Sequence, residues 1–315
     1  MDGLRLFAER GWARRPGGLV WMSVAAVLLS AAVTAGVQRP REARRDRAGL
    51  DVLRDLEYVP EGHERQKLDL YLPKETETKA NRPLIVWVHG GAWLAGSKER
   101  CPAVRFTREG FAVASINYRL SQHATFPAQI QDCKAAIRWL RANAETHGYD
   151  PNRIGVWGSS AGGHLVALLG TAGDVNDFEV GPNAGVSSRV QAVCDFFGPT
   201  DLTRMSSFPS TMDHDSPDSP ESKLVGGPIQ ENEDKAQRAN PITYVTKDDP
   251  PFLIVHGDKD PLVPHNQSEL LYETLKNAGV DATFYTVRGG GHGGFQDPNV
   301  APLVTKFFNK HLKNR

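Results

Sequence analysis

Short apolar runs recur along most of the chain, and longer stretches of mixed polarity separate them. Two strands are predicted at 51–58 and 67–72, and the second alternates apolar and polar residues with a period of two. Strands that alternate with helices predict an α/β fold: a mostly parallel, eight-stranded sheet with helices on both faces. The later apolar runs are typical of buried strands and lie at 84–88, 111–117, 153–157, 190–196, 252–256 and 282–287. Helical patterns separate these runs and lie at 127–146, after residue 160, at 266–278 and at 299–313.

The first 48 residues follow a different pattern. An uncharged stretch at 17–38 is apolar at its centre, and arginines stand on both sides of it. Such a stretch is typical of a secretory signal peptide or of a membrane anchor, and the flanking arginines leave that choice open. A buried helix is a weaker interpretation, because charged residues isolate the segment. We therefore expect export, to the periplasm or the extracellular space, or membrane attachment through this segment, followed by one large domain at 49–315.

Residues 200–250 interrupt the alternation of strands and helices. The stretch 206–220 is rich in serine, proline and aspartate. It falls between two predicted strands whose carboxyl ends would lie at one edge of the sheet. An insertion at that place can form a small lid over the edge, or it can be a disordered surface loop. Both interpretations stay open at this point.

Composition narrows the range of partners. The chain has 315 residues with 37 basic and 37 acidic side chains, so it has no basic field and nucleic acid is not an expected partner. No C-x-x-C occurs and the histidines lack the spacing of metal ligands, so no metal site is predicted. Cys133 and Cys194 lie on predicted apolar faces and are expected as buried thiols. A disulfide between Cys101 and Cys133 stays open.

The segment Gly158–Gly162 carries the strongest chemical signal. It reads Gly-Ser-Ser-Ala-Gly and lies between an apolar strand and an apolar helical run. A G-x-S-x-G turn in that setting is the nucleophile elbow of serine hydrolases, which would present Ser160 at the N-terminus of a helix. The glycines remove side chains that would collide in the sharp turn. The positive end of the helix favours the negative charge that develops in acyl transfer.

A second loop supplies groups that acyl transfer needs. The glycine-rich segment His89–Trp93 follows the predicted strand at 84–88. The N–H groups of Gly91 and Ala92, together with that of Ala161 after the nucleophile, are predicted as the oxyanion donors. Glycine lets such a loop come close to a substrate. His89 itself is expected to brace the loop rather than to react.

The loops after the last two strands supply an acid and a base. Asp258 and Asp260 both qualify by chemistry as the carboxylate of a catalytic triad. His292 stands in a glycine-rich loop that would let it approach the serine as a general base. Ser160, an acid and His292 follow one another along the chain, which is the order of an α/β-hydrolase triad.

With these motifs, residues 55–313 resemble the α/β-hydrolase superfamily. More narrowly, they are similar to the esterase/lipase group with an H-G-G-x-W loop, which includes feruloyl-esterase-like and hormone-sensitive-lipase-like carboxylesterases. The resemblance implies the α/β-hydrolase fold with a small lid insertion. The H-G-x-x-D-x-x-V-P pattern of the superfamily places the catalytic acid at Asp260, which leaves Asp258 to stabilise its loop. The departure is Ala92, where many members have a third glycine.

The resemblance implies a serine carboxylesterase that forms an acyl-enzyme and needs no cofactor. The expected substrate is a small-molecule or polysaccharide-linked ester with an acetyl, feruloyl or short-chain acyl group. An amidase, such as a kynurenine-formamidase-like enzyme, would use the same triad. A non-catalytic binding protein on the same fold is the alternative from a different class.

Overall fold

The computed structural model describes residues 49–74 and 82–313. The segment predicted as a signal peptide or membrane anchor, 1–48, lies outside the described residues. In the described part of the chain, no helix combines the length and the apolar character that crossing a membrane requires. The strands are β1 Leu50–Glu57, β2 Lys67–Pro73, β3 Leu84–Val88, β4 Ala112–Ile116, β5 Ile154–Ser159, β6 Ala192–Phe196, β7 Phe252–Gly257 and β8 Ala282–Val287.

Helices connect most of these strands. The α-helices are α1 Ala128–Ala142, α2 Ala144–His147, α3 Ala161–Thr171, α4 Pro220–Val225, α5 Glu233–Ala239, α6 Asn266–Asn277 and α7 Val300–Phe308. Short 3-10 helices lie at Pro102–Glu109, Asn176–Phe178, Leu202–Ser207, Ile229–Glu231 and Pro241–Tyr244. A π-helical turn, Asn309–Lys313, follows α7.

All eight strands form one sheet in the order β1-β2-β4-β3-β5-β6-β7-β8. Strand β2 runs antiparallel to β1 and β4, and every other neighbouring pair is parallel. The parallel strands β3, β5, β7 and β8 therefore end at the same edge of the sheet. Open α/β sheets place their sites at this edge. The loops with the predicted catalytic residues all start there.

Apolar side chains cover both faces of the sheet. Along β3, Leu84, Val86 and Val88 face a core shared with α1, α3 and α6, while Ile85 and Trp87 face a second core. The second core contains residues of the 3-10 helix Pro102–Glu109 and of α7. Alternate residues of a strand point to opposite faces, so a wholly apolar strand needs cover on both. The predicted α/β-hydrolase fold, with helices on both faces of a mostly parallel sheet, is confirmed.

The helix predicted at 127–146 is divided in two. Helix α1 ends at Ala142, and the four-residue helix α2 begins at Ala144. Between them, the side chain of Asn143 donates to the carbonyl of Trp139 at 2.8 Å. Asparagine side chains compete in this way with helical backbone bonds and end helices. The helical pattern at 299–313 likewise changes from an α-helix to a π-helical turn at Asn309.

The insertion, residues 200–250, is built from five short helical segments rather than from a structureless loop. Its two ends are tied together, because Asn240 donates to Asp201 at 3.0 Å and accepts from the N–H of Leu202 at 2.9 Å. The side chain of Gln267 on α6 accepts from the N–H groups of Thr200 and Asp201. These buried polar contacts fix where the insertion leaves and rejoins the sheet.

The three cysteines are free thiols. Cys133 is buried on the core face of α1, and Cys194 is buried on β6, as their apolar surroundings predicted. Cys101 precedes the 3-10 helix Pro102–Glu109 on the other side of the sheet from Cys133. The disulfide that the sequence left open is therefore absent from the described structure.

Candidate active site

Ser160 stands between the end of β5 and the start of α3 in a strained backbone conformation. Its φ of 55° and ψ of −124° lie outside the regions that a serine ordinarily occupies. Two hydrogen bonds hold it there: its N–H donates to the carbonyl of Phe196 at 2.9 Å, and its carbonyl accepts from the N–H of His164 at 3.0 Å. Strain of this kind persists only where surrounding structure enforces it, and it concentrates at functional sites.

The glycines on either side of the serine are required by close backbone contacts. A Cβ atom at Gly158 would lie 2.2 Å from the carbonyl oxygen of Gly162, and one at Gly162 would lie 2.1 Å from that of Val88. No side chain fits at such distances, which are far below van der Waals contact. The spacing of the glycines that the sequence singled out therefore has a steric cause.

Ser160, His292 and Asp260 come together although they lie far apart in the chain. Nε2 of His292 lies 3.1 Å from Oγ of Ser160, and Nδ1 lies 2.7 Å from Oδ2 of Asp260. The carboxylate can only accept a hydrogen bond, so Nδ1 carries the proton and Nε2 turns its lone pair to the hydroxyl. This is the tautomer that a general base next to a serine requires. The structure thus brings together the three residues predicted as a triad.

Asp260 is held as a carboxylate. Burial favours its neutral form, but hydrogen bonds from His256 and His292 and from backbone N–H groups outweigh burial and hold the pKa of Asp260 well below its usual range. The backbone donors are Leu262 at 2.8 Å and Val263 at 3.0 Å. A carboxylate that stays charged can orient the imidazole and stabilise its protonated form.

His256 is a contributor to this site that sequence reasoning missed. It is fully buried on β7, with Nε2 3.1 Å from Oδ2 of Asp260 and 3.0 Å from the carbonyl of Val263. Its Nδ1 lies 2.7 Å from the hydroxyl of Ser268 on α6. Burial lowers the pKa of His256, so the ring is a neutral donor to Asp260. The only sequence signal was its position four residues before the acid.

Asp258 turns to a different partner. Its carboxylate accepts from the backbone N–H of Gly289 at 2.6 Å and lies 3.4 Å from the guanidinium of Arg288. These contacts tie the loop after β7 to the loop after β8. The expectation that Asp258 stabilises the loop, rather than contacting His292, agrees with this geometry.

The loop after β3 lies beside the serine in an unusual backbone conformation. Gly91, Ala92 and Trp93 have positive φ angles of 114°, 55° and 56°. In the part of the chain that the structure describes, no acceptor is bound to the N–H of Gly91, Ala92 or Ala161. All three residues line the cavity that contains Ser160. Unpaired N–H groups at such a place can bind an oxyanion.

His89 braces this loop, as predicted. Its ring stacks on Tyr118 at 4.4 Å, and its Nδ1 lies 2.7 Å from the carbonyl of Gly90. The other ring nitrogen lies 3.1 Å from the guanidinium of Arg65. Burial lowers the pKa of His89 to about 4, so the ring is neutral at physiological pH.

A cavity of about 440 Å³ lies over Ser160. The oxyanion loop, Phe197 and His292 form part of its wall, and the insertion contributes Met212, His214, Pro220 and Glu221. The insertion is also tied to the loop that follows Asp260, because the N–H of Thr211 donates to the carbonyl of Pro261 at 2.8 Å. Residues 200–250 thus cover one side of the site as an ordered wall.

Asp195 is a buried acid beside the elbow that the sequence did not single out. It lies at the end of β6, where Oδ1 accepts from the N–H of Gly198 at 3.0 Å and Oδ2 has no partner in the described structure. Burial raises its pKa to about 7. A side chain on Gly163 would collide with this carboxyl group, which lies 2.3 Å from the position of a Cβ atom there.

One cluster brings together two histidines that lack the sequence spacing of metal ligands. The possible ligand atoms of His63, Glu64 and His123 lie within 4.8 Å of one another. However, Nδ1 of His63 accepts from the N–H of Arg65, and Nδ1 of His123 accepts from the N–H of Leu120. A neutral imidazole that accepts at Nδ1 carries its proton on Nε2. Neither ring therefore has a free lone pair for a metal ion in this arrangement.

Comparisons with known proteins agree with this geometry. Residues 68–275 match the family described as BD-FAE. The chain is similar to the esterase LipQ of Mycobacterium tuberculosis, with 34% identity over 247 residues that cover 76% of this chain and 56% of LipQ. It is also similar to the esterase LipC of the same organism, with 32% identity that covers 79% of this chain and 63% of LipC. The match thus spans between half and two thirds of these curated relatives.

Solved structures extend the comparison over the whole domain. A truncated carbohydrate esterase from gut microbiota is 37% identical, has a TM-score of 0.77, and is matched over 87% of this chain and 98% of its own. The esterase Est2 of Thermogutta terrifontis is 26% identical with a TM-score of 0.65, and the match covers 84% of this chain and 92% of Est2.

Proposed function

The chain belongs to the BD-FAE family, and on that premise we propose that it is a carboxylic ester hydrolase with a Ser160–His292–Asp260 triad. One observation carries the proposal: a serine in a strained elbow lies 3.1 Å from the unprotonated nitrogen of a histidine whose other nitrogen lies 2.7 Å from a buried carboxylate. The esterases among its relatives support the reaction class.

Acylation begins at Ser160. Nε2 of His292 takes the hydroxyl proton while Oγ attacks the carbonyl carbon of the ester. Asp260 stabilises the imidazolium that results. The negative charge on the former carbonyl oxygen is bound by the N–H groups of Gly91, Ala92 and Ala161, of which Ala161 is the first residue of α3. His292 then returns the proton to the leaving alcohol, and Ser160 keeps the acyl group.

Deacylation repeats the same steps with water. His292 takes a proton from a water molecule that attacks the acyl-enzyme, and the carboxylic acid leaves when the serine recovers its proton. His292 is half-buried, with 20% of its side chain exposed, and the ring of Phe197 lies 4.7 Å from it. Water therefore has access to the base on one side.

Short-chain, carbohydrate-linked or aryl esters are the proposed substrates. The cavity over Ser160, at about 440 Å³, holds a small ester. Similarity to a carbohydrate esterase over almost the full length of that protein supports the carbohydrate-linked class.

The test uses the full-length chain with 4-nitrophenyl acetate, butyrate and decanoate. We expect kcat/KM to fall with acyl length, and Ser160→Ala to lower kcat by about 10⁴-fold or more. The matched control is Ser207→Ala, the same change at an exposed serine of the insertion. It is expected to leave kcat unchanged.

Three results would overturn the proposal. Turnover that survives Ser160→Ala would remove the triad as its source. A preference for 4-nitroacetanilide over 4-nitrophenyl acetate would indicate an amidase instead, because the two compounds differ in the scissile bond alone. Binding of esters without turnover would favour a non-catalytic role.

A further inference from the structure

The wall of the active-site cavity contains a buried ion pair that the proposed mechanism does not use. His214 and Glu221 both line the cavity over Ser160, and they are only 1% and 3% exposed. Nδ1 of His214 lies 3.2 Å from Oε1 of Glu221. Both residues belong to the insertion, whereas the triad residues follow strands of the sheet.

The contacts of His214 show which atoms of the pair carry protons. Nε2 lies 3.0 Å from the carbonyl oxygen of Leu262, which can only accept, so Nε2 is protonated. Nδ1 lies 3.2 Å from Oε1 of Glu221 but has no hydrogen-bond partner among the described residues. As a carboxylate, Glu221 can only accept hydrogen bonds.

Oε2 of Glu221 has no partner among the described residues and is closed to bulk water. A buried carboxylate oxygen without a donor is unfavourable. The nearby parts of the cavity wall offer no donor, because the other side chains that the insertion and the loop after Asp260 contribute are apolar: Met212, Pro220, Leu262 and Val263. Because Glu221 lines the cavity over Ser160, a molecule bound there can supply the missing donor.

We propose that Glu221 determines specificity by accepting a hydrogen bond from a hydroxyl group of the substrate ester. The inference rests on the proposed function, because the ligand is the substrate of that reaction. His214 is the positioning residue that holds the carboxylate. It also ties the insertion to the loop after Asp260, because Nε2 donates to the carbonyl of Leu262 at 3.0 Å. A hydroxylated ester is then bound better than an alkyl ester of the same size.

The hydroxyl can belong to the alcohol part or to the acyl part of the ester, and two substrate pairs separate these sources. Glycerol 1-acetate is compared with propyl acetate, and ethyl 3-hydroxybutyrate with ethyl butyrate. Each kcat/KM of the full-length protein is divided by the rate constant for alkaline hydrolysis of that ester, which removes differences in intrinsic reactivity. We expect the hydroxylated member of one pair to be favoured by about 10-fold or more.

Two variants assign the preference to the carboxylate. Glu221→Gln removes the charge with little change of shape and should reduce the preference, and Glu221→Met removes the acceptor and should abolish it. The plain alkyl esters should change by less than about threefold. Glu231→Gln, the same change at an exposed residue of the insertion, is the matched control and should leave the preference intact.

A wild-type preference below about twofold in both pairs would overturn the inference, and so would a preference that survives Glu221→Met. An equal loss of activity on hydroxylated and plain esters would show that Glu221 acts on structure alone. The wild-type ratios need no variant, so the preference is testable even if a variant does not fold. If none of these esters and no 4-nitrophenyl ester is hydrolysed, the proposed function fails instead, which is a different result.

Discussion

The indole N–H of Trp93 donates a hydrogen bond over 3.2 Å to Nδ1 of His164. Trp93 belongs to the oxyanion loop, and His164 lies on α3 one turn after Ser160. The other nitrogen of His164 lies 2.7 Å from the carbonyl of Ala239, at the end of α5 in the insertion. Burial lowers the pKa of His164 to about 4, so the ring is neutral and Nδ1 is free to accept. One buried histidine thus connects the loop, the nucleophile helix and the insertion.

Trp93→Phe should affect both stability and turnover. The change leaves Nδ1 of His164 as a buried acceptor without a donor, which costs about 1–3 kcal/mol of unfolding free energy. It also releases the loop that carries Gly91 and Ala92, so we expect kcat to fall more than KM changes. Urea denaturation and kinetics with 4-nitrophenyl acetate measure the two effects.

Trp87→Phe is the matched control for that experiment. Trp87 is also buried, but its indole N–H has no partner among the described residues, so phenylalanine there leaves no acceptor unpaired. Equal losses of stability in the two variants would show that the hydrogen bond to His164 contributes nothing.

Asp260→Asn and Asp258→Asn should show which of the two acids in the loop after β7 is the catalytic one. An amide at Asp260 can turn its NH₂ to His292 and favour the wrong tautomer, so kcat should fall by about 10⁴-fold. Asp258→Asn changes a residue that bonds to Gly289, and kcat should stay within about threefold. If instead Asp258→Asn caused the larger loss, the assignment of the acid would be wrong.

Asp195→Asn should stabilise the protein in a pH-dependent way. The pKa of Asp195 is about 7 in the folded state against 3.8 ordinarily, so the folded protein holds its proton more tightly than the unfolded chain. The Asp195 carboxyl group therefore does not lower the free energy of unfolding below about pH 4. Its destabilising effect grows as the pH rises from about 4 to about 7. Asparagine mimics the protonated acid, and it removes up to about 4 kcal/mol of this penalty.

The measurement is the unfolding free energy of wild type and variant at pH 5 and pH 8. The difference between them should be larger at pH 8. Asp248→Asn, at an exposed aspartate, controls for the loss of one negative charge. A difference that does not depend on pH would mean that Asp195 is charged or neutral to the same extent in both states.

Patterns within short segments of the chain predicted the strands of the sheet and the three loops that carry the triad residues. Wholly apolar runs mark strands covered on both faces, and β3, β5 and β7 lie within two residues of their predicted bounds. Gly158 and Gly162 are visible in the sequence because steric contact within one turn requires them. Helix ends were less accurate, since the break at Asn143 depends on one side-chain hydrogen bond.

The residue types that acyl transfer needs, and the strand ends that bear them, could be predicted from the chain because each of those signals lies within a short segment. The groups that surround them depend on how distant segments fold together. His164 meets Trp93 across 71 positions, and His214 meets Leu262 across 48. The spacing of apolar and polar residues along the chain cannot predict such contacts, because they form when separate loops converge at one edge of the sheet. The burial that shifts the pKa of Asp195 and isolates Oε2 of Glu221 has the same origin.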